Sequence, residues 1–184
     1  VIQRILGAEL TQAELFRRVL RVEQALTTGG GWQDQVGGVV DGVKVVTAQP
    51  GMIVEPSVHY VPPDVLDPRA NGGATLLYYT GITRLAKNIL HEVVGRYLDR
   101  DRSAMHTLRR IHALPARVAD AMARKDAEAF GRHIDTAWRL NKQLDANSSN
   151  DEVEDLLERV RPHVFGAKLL ELAGITGEAD AKKL

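Results

Sequence analysis

The sequence predicts an α+β fold in which helices outnumber strands. Apolar residues recur at helical spacing over most of residues 84–160, while short segments between residues 36 and 80 have the β-branched or apolar content typical of strands. Five glycines within residues 27–38 separate an opening helix from these strands. The pattern therefore predicts a small, mostly antiparallel sheet backed by helices.

Composition limits the function before any motif is considered. The 184 residues carry 24 basic and 24 acidic side chains, so net charge favours neither nucleic acid nor an anionic membrane as a partner. The absence of cysteine excludes disulfides, thiolate zinc sites and a cysteine nucleophile. Neither a membrane-spanning apolar run nor a signal-peptide layout is found in the sequence. We therefore expect a soluble cytoplasmic protein.

The chain is predicted to open with helices. Residues 1–7 are typical of a helix end closed by glycine, which favours a chain cut from a longer protein. Residues 11–14 form a capping box, and apolar residues then follow at helical spacing up to Leu26. Glu23 falls within this apolar stripe, seven positions after Phe16. A carboxylate there, near the C-terminal end of a helix, needs a cation, and both an arginine and Mg²⁺ are open as partners.

The glycine-rich segment, residues 27–38, is the strongest candidate for function. Its five glycines favour neither a helix nor a strand. They flank Trp32, a bulky amphipathic side chain, and Asp34, which lies between two glutamines. This arrangement can bring backbone and one carboxylate close to a bound ligand. The alternative is a structural glycine loop in which Asp34 caps its own turn.

Two short strands are predicted after the glycine-rich segment. Residues 36–48 alternate well enough for a hairpin that turns at Asp41-Gly42, a favoured hairpin pair. Pro50-Gly51 ends the pattern. We place a domain boundary here, so that residues 1–48 and residues 49–184 belong to different domains.

A second candidate site follows a predicted strand at residues 53–61, a polar loop and a short apolar strand at residues 76–80. Residues 80–83 would turn this last strand into a long helix. The threonine hydroxyls of this turn, a free helix N-terminus, Arg84 and Lys87 would suit an anion such as a phosphate. The alternative is a Thr83 N-cap beside two solvated cations.

The rest of the chain is predicted to be helical. Residues 103–123 indicate one helix kinked by Pro115. Asp126 is predicted to cap a helix that runs to about Leu144, and residues 147–150 form a linker before an acidic helix, Asp151–Val160. No two histidines have the i,i+4 spacing of a helical metal site, so we expect them to be surface or packing residues.

Three segments of the chain resemble the GHMP sugar kinases, and most closely their L-fucokinase branch. They are residues 27–38, residues 76–87 and residues 138–145, which occur in that order. The resemblance implies transfer of the ATP γ-phosphoryl group to the anomeric hydroxyl of L-fucose or a related sugar. It also implies that residues 1–48 end an N-terminal kinase domain and that residues 49–184 are an incomplete, ferredoxin-like C-terminal domain. Some fucokinases are fused to a guanylyltransferase.

The resemblance implies roles for particular residues. Asp34 would orient or deprotonate the sugar hydroxyl, and Glu23, eleven positions before it, would hold Mg²⁺ through a water-rich shell. Trp32 would form an apolar wall for the sugar. Further substrate contacts are implied for Gly30, Gly31, Gln33, Thr80 and Arg84.

The family's glycine- and serine-rich loop for ATP phosphates has no match in this sequence. Residues 166–169 resemble the lead-in to a family glycine cluster, but residues 170–175 are Leu-Glu-Leu-Ala-Gly-Ile where the glycines should be. We therefore expect the isolated chain to have no useful affinity for ATP and no kinase activity. We also expect it to expose apolar surface and to self-associate. Two other interpretations stay open: a non-catalytic, kinase-like interaction module, and a heptose-phosphate kinase of the same family.

Overall fold

The computed structural model describes residues 7, 10–25, 33–51, 55–80 and 87–170. These residues divide into two compact units, one within Val1–Tyr60 and one within Val61–Leu184. Helices dominate, and one two-stranded antiparallel sheet accompanies them in the described part of the chain, which confirms the α+β prediction. The predicted boundary after residue 48 concerns the domains of a longer kinase and stays a prediction.

The first unit begins with helix α1, Gln12–Ala25. The predicted capping box is confirmed, because the backbone N–H of Glu14 donates to Thr11 Oγ1 at 3.3 Å and the N–H of Thr11 donates to the Glu14 carboxylate at 2.9 Å. These bonds satisfy N–H groups that the first turn of a helix leaves without partners. Gly7, before the helix, has φ 60, the left-handed conformation typical of a helix end, and residues 1–6 lie outside the described part.

The predicted hairpin over residues 36–48 is wrong in its first half. Helix α2, Gln33–Val39, occupies the start of that segment. Val36 and Val40 are four positions apart and both buried, and the N–H of Val40 donates to the carbonyl of Val36 at 3.1 Å. Burial of this pair on one face outweighs the low helix propensity of the two glycines between them.

The sheet of the first unit consists of β1, Lys44–Ala48, and β2, Pro56–Tyr60. The strands pair antiparallel, with Lys44 opposite Tyr60 and Ala48 opposite Pro56. The prediction of a strand within residues 53–61 is confirmed for β2. Asp41-Gly42 connects α2 to β1 instead of turning a hairpin.

The second unit begins with a segment that contains no helix or strand between residues 61 and 80. The polar loop is confirmed, and the Asn71 side chain organises it by donating to the carbonyl of Val65 at 2.6 Å. The strand predicted at residues 76–80 is wrong. Leu76 is 86% exposed, and no described strand pairs with this segment, so its apolar run lies at the surface.

Helix α3, Lys87–Leu98, confirms the helix predicted after this segment, while residues 81–86 lie outside the described part. Helix α4 is Arg102–His112 and helix α5 is Leu114–Ala123. The prediction of a single kinked helix is therefore wrong. The chain breaks at Ala113 because Pro115 has no N–H to donate and fits only the first turn of a new helix.

Helix α6, Ala127–Leu144, and helix α7, Asp151–Val160, have the predicted bounds. The N–H of Ala129 donates to the Asp126 carboxylate at 2.8 Å, as a cap requires. Two short 3₁₀ turns, Ala146–Ser148 and Arg161–His163, flank α7. None of the described helices is both long and apolar enough to cross a membrane.

A core cluster in the second unit joins α6, α7 and the segment after α7. Its buried members are Trp138, Val153 and Leu157, and Ala167 and Leu169 pack against them. The segment comes very close to α6: a Cβ added at Gly166 would lie 1.8 Å from the carbonyl oxygen of Gly131.

Trp138 and Lys142, four positions apart on α6, form a packing pair. The Lys142 ammonium lies 5.7 Å from the centre of the Trp138 ring and 2.6 Å from the Glu154 carboxylate. Trp138 is 1% exposed, so this pair is a buried tryptophan beside a lysine, an ordinary packing arrangement.

Candidate functional site

Two of the candidate residues, Glu23 and Asp34, lie on the two described helices of the first unit. Helices α1 and α2 contact each other. Glu23 occupies the last turn of α1, and Asp34 is the second residue of α2. The backbone positions that carry the proposed metal ligand and the proposed base therefore lie on neighbouring helices.

Several predicted site residues lie outside the described part of the chain. These are Gly30, Gly31, Trp32 and Arg84, together with the side chains of Glu23 and Asp34. Gln33 is exposed and is the first residue of α2. Thr80 is half-buried and lies in the second unit. The roles assigned to these residues stay predictions.

The end of the glycine-rich segment is helical, which corrects the expectation of a loop through residue 38. Asp34 lies inside α2 and not in a turn of its own. Gly37 and Gly38 are exposed, and a Cβ added at either would meet no described atom within 4 Å. Packing among the described residues therefore does not require glycine at these two positions, although each costs about 1 kcal/mol of helix propensity relative to alanine.

The last turn of α1 contains no basic residue. The partial negative charge at the C-terminal end of a helix disfavours a carboxylate such as Glu23 unless a cation compensates it. Helix α1 does not provide that cation from its own last turn. Among the described residues, no group of three or more His, Asp or Glu side chains is placed to hold a metal ion.

Sequence reasoning missed a groove in the second unit. We call it the arginine groove, and it is lined by Tyr97, Leu98, Arg100, Arg102, Met105, His106 and Arg109. The signal was present in the sequence, because α4 carries three arginines and two histidines but no carboxylate. An overall net charge of zero conceals this local excess of positive charge.

Comparison with known proteins shows similarity to two curated enzymes. The chain is 36% identical over 163 residues to the L-fucokinase/L-fucose-1-P guanylyltransferase of Bacteroides fragilis, a match that covers 89% of the chain and 17% of that protein. It is 34% identical over 173 residues to the bifunctional fucokinase/GDP-fucose pyrophosphorylase of Arabidopsis thaliana, covering 92% of the chain and 16% of that protein. The chain thus spans about a sixth of the length of these relatives. No family model and no solved structure matches it.

Proposed function

We propose that this chain, a relative of the fucokinase branch, is part of an ATP-dependent sugar kinase of the GHMP type. The reaction would phosphorylate the anomeric hydroxyl of L-fucose or a related sugar and give the sugar 1-phosphate. The names of both relatives include fucokinase, which supports a sugar kinase. The second activity in each name belongs to those proteins and is not assigned to this chain.

The observation that carries the proposal is the contact between α1 and α2. Phosphoryl transfer depends mainly on positioning the nucleophile and neutralising charge. A carboxylate at Asp34 would accept the proton or hydrogen bond of the sugar hydroxyl, and a carboxylate at Glu23, on the neighbouring helix, would be available to a cation. Trp32 would bound the sugar on its apolar side.

The carboxylate of Glu23 fits Mg²⁺, which prefers carboxylate oxygens and keeps several waters. Because the last turn of α1 has no basic residue, a metal ion would also compensate the charge of Glu23 at that helix end. When bound, Mg²⁺ would neutralise charge on the phosphates of ATP. We assign no residue of this chain to the ATP phosphates themselves.

The glycines of α2 support the same site. Gly37 and Gly38 leave the surface of the helix beside Val36 and Val40 without side chains. A sugar could approach such backbone closely, and this would account for glycine at helical positions where it costs stability.

The test is Asp34→Asn in the full-length protein, with steady-state phosphorylation of L-fucose as the readout. A general base contributes roughly 10²- to 10⁴-fold, so we expect turnover to fall by a factor of about 10² or more with little change in melting temperature. Asp41→Asn is the matched control, since Asp41 is an exposed carboxylate of the same unit outside the proposed site. Turnover near that of wild type in Asp34→Asn, or an equal loss in Asp41→Asn, would contradict the assignment.

A further inference from the structure

We propose that the arginine groove binds a phosphate ester, a small molecule that carries a phosphate group on an organic body. The groove has a volume of about 800 Å³ and lies between the end of α3 and the outer face of α4. Small-molecule sites typically enclose about 300–1,000 Å³. The proposal uses residues of the second unit only and does not depend on the kinase activity proposed above.

The arginines of the groove have no described carboxylate as an ion-pair partner. Arg100, Arg102 and Arg109 form no ion pair with any described residue. Some arginines at the ends or on the faces of other helices are paired: Arg124 pairs with Asp120 at 2.8 Å beside α5, and similar pairs occur on α6 and α7, whereas Arg117 of α5 forms no ion pair with a described residue. Three guanidinium groups that line one groove without a carboxylate partner favour an anionic ligand.

The carboxylate nearest to these arginines in the sequence is already engaged. Asp101 accepts hydrogen bonds from the Arg96 guanidinium at 3.0 Å and from the backbone N–H of Ala104 at 2.6 Å. It therefore caps α4 and holds Arg96, and it does not line the groove. Asp99, the other carboxylate of this turn, is exposed and does not line the groove either.

The backbone at Arg100 gives an independent indication. Arg100 has φ 54, a left-handed conformation in which glycine is the usual residue. Its N–H donates to the carbonyl of Tyr97 at 3.1 Å, and the N–H of Asp101 donates to that of Arg96 at 3.0 Å, the bonds of a Schellman helix end. An arginine in this conformation persists at a cost, which points to a use for its side chain.

Lys125 provides the comparison within the same unit. It has φ 56 after α5, and the same two kinds of backbone bond close that helix. Its ammonium pairs with Asp64 at 3.0 Å, so a contact within the protein accounts for this side chain. Arg100 occupies the equivalent position after α3, but its side chain lines the groove instead.

The apolar residues of the groove select the organic body of the ligand. Tyr97 is 53% exposed and Leu98 is 71% exposed, and Met105 lines the groove beside them. Guanidinium groups bind phosphate oxygens in a bidentate manner, while a tyrosine ring and aliphatic side chains cover the less polar face of an attached group. Inorganic phosphate has the charge of the ester but lacks the attached organic group, so the ester should bind more tightly than the free ion.

The experiment is isothermal titration of the full-length protein at low salt, where screening is weak, with glucose 1-phosphate, inorganic phosphate and glucose. We expect saturable binding of glucose 1-phosphate, weaker binding of phosphate and none of glucose. Arg102→Gln and Arg109→Gln should each weaken glucose 1-phosphate binding about tenfold, the effect of losing one charged hydrogen bond. Arg117→Gln is the matched control, because Arg117 is an exposed arginine of α5 that does not line the groove.

Arg100→Gly separates ligand binding from folding. Glycine suits the left-handed conformation, so this variant should melt at or above the wild-type temperature and yet bind glucose 1-phosphate more weakly. Lys125→Gly also places glycine in a left-handed position, and it should leave the affinity unchanged.

Three results would overturn the proposal. They are no saturable binding of glucose 1-phosphate up to about 10 mM, equal affinity for the ester and inorganic phosphate, and an equal loss of affinity in Arg117→Gln. If the first result comes with salt-sensitive self-association in sedimentation, the groove is a contact surface between copies of this protein.

Discussion

Gly166→Ala should destabilise the second unit strongly. The new methyl group would lie 1.8 Å from the carbonyl oxygen of Gly131 and 2.6 Å from its carbonyl carbon. Both atoms belong to the backbone of α6, so no side-chain rotation can relieve the overlap. Either α6 or the segment that contains Gly166 must move.

The magnitude follows from what that segment carries. Overpacking a well-packed site costs about 1–3 kcal/mol. If the segment moves away from α6, Ala167 and Leu169 also lose contact with the cluster around Trp138. Fully burying a leucine side chain contributes about 1.5–3 kcal/mol, and Leu169 is half-buried, so roughly half of that is lost. We expect the free energy of unfolding to fall by about 2–4 kcal/mol, a large part of the 5–15 kcal/mol typical of native proteins.

Urea denaturation followed by far-UV circular dichroism measures this change. Gly131→Ala should lower the free energy of unfolding by less than Gly166→Ala does. Its Cβ would lie 2.7 Å from the Phe165 Cβ, which is a less severe overlap, and alanine adds helix propensity within α6. Gly95→Ala is the control: a Cβ there meets nothing described within 4 Å, and we expect a gain of up to about 1 kcal/mol. A Gly166→Ala protein within about 0.5 kcal/mol of wild type would refute the close approach of these two backbones.

Three further outcomes are expected. Glu23→Gln in the full-length protein should raise the Mg²⁺ concentration needed for half-maximal rate. Glu14→Gln, on the same helix, is the control and should leave that concentration unchanged. An unchanged metal dependence of Glu23→Gln together with a lower melting temperature would favour a structural role for Glu23. Thr11→Ala should lower the unfolding free energy by about 0.5–2 kcal/mol through loss of the cap, which urea titration would detect, and no loss would contradict the capping geometry. Burial lowers the pKa of Lys168 below its ordinary value of 10.5. As pH rises, the folded state therefore releases this proton before the unfolded state does. The free energy of unfolding should rise with pH between the folded-state pKa and the unfolded-state pKa. Lys168→Met should raise the melting temperature at pH 7 and abolish that rise, and an unaltered pH profile would show that Lys168 is solvated.

Local signals in the sequence predicted much of the helical structure. The capping box at Thr11, the cap at Asp126 and the bounds of Asp151–Val160 depend on hydrogen bonds between residues at most four positions apart. Such bonds form wherever the residue types occur at the right spacing, so the sequence alone contains them. The resemblance to fucokinases likewise rested on short contiguous segments, and the comparisons confirm it.

Predictions that needed a distant partner were less reliable. The apolar run Leu76–Leu77–Tyr78–Tyr79 has strand composition, but a strand forms only where another strand pairs with it, and no described strand does. The first half of the predicted hairpin failed for a related reason. Val36 and Val40 suit either a strand or a helix, and burial of both on one helical face decided between the two.

The sequence by itself thus determined where the capped helices α1, α6 and α7 start, the neutral overall charge and the kinship with fucokinases. Only the tertiary structure decided that Gly131 and Gly166 meet backbone to backbone, and that Arg100 joins Arg102 and Arg109 around one groove. Both features depend on the path of the chain between elements, and that path follows from which surfaces bury one another. Residue spacing records only the periodicity within each element, so it does not contain this information.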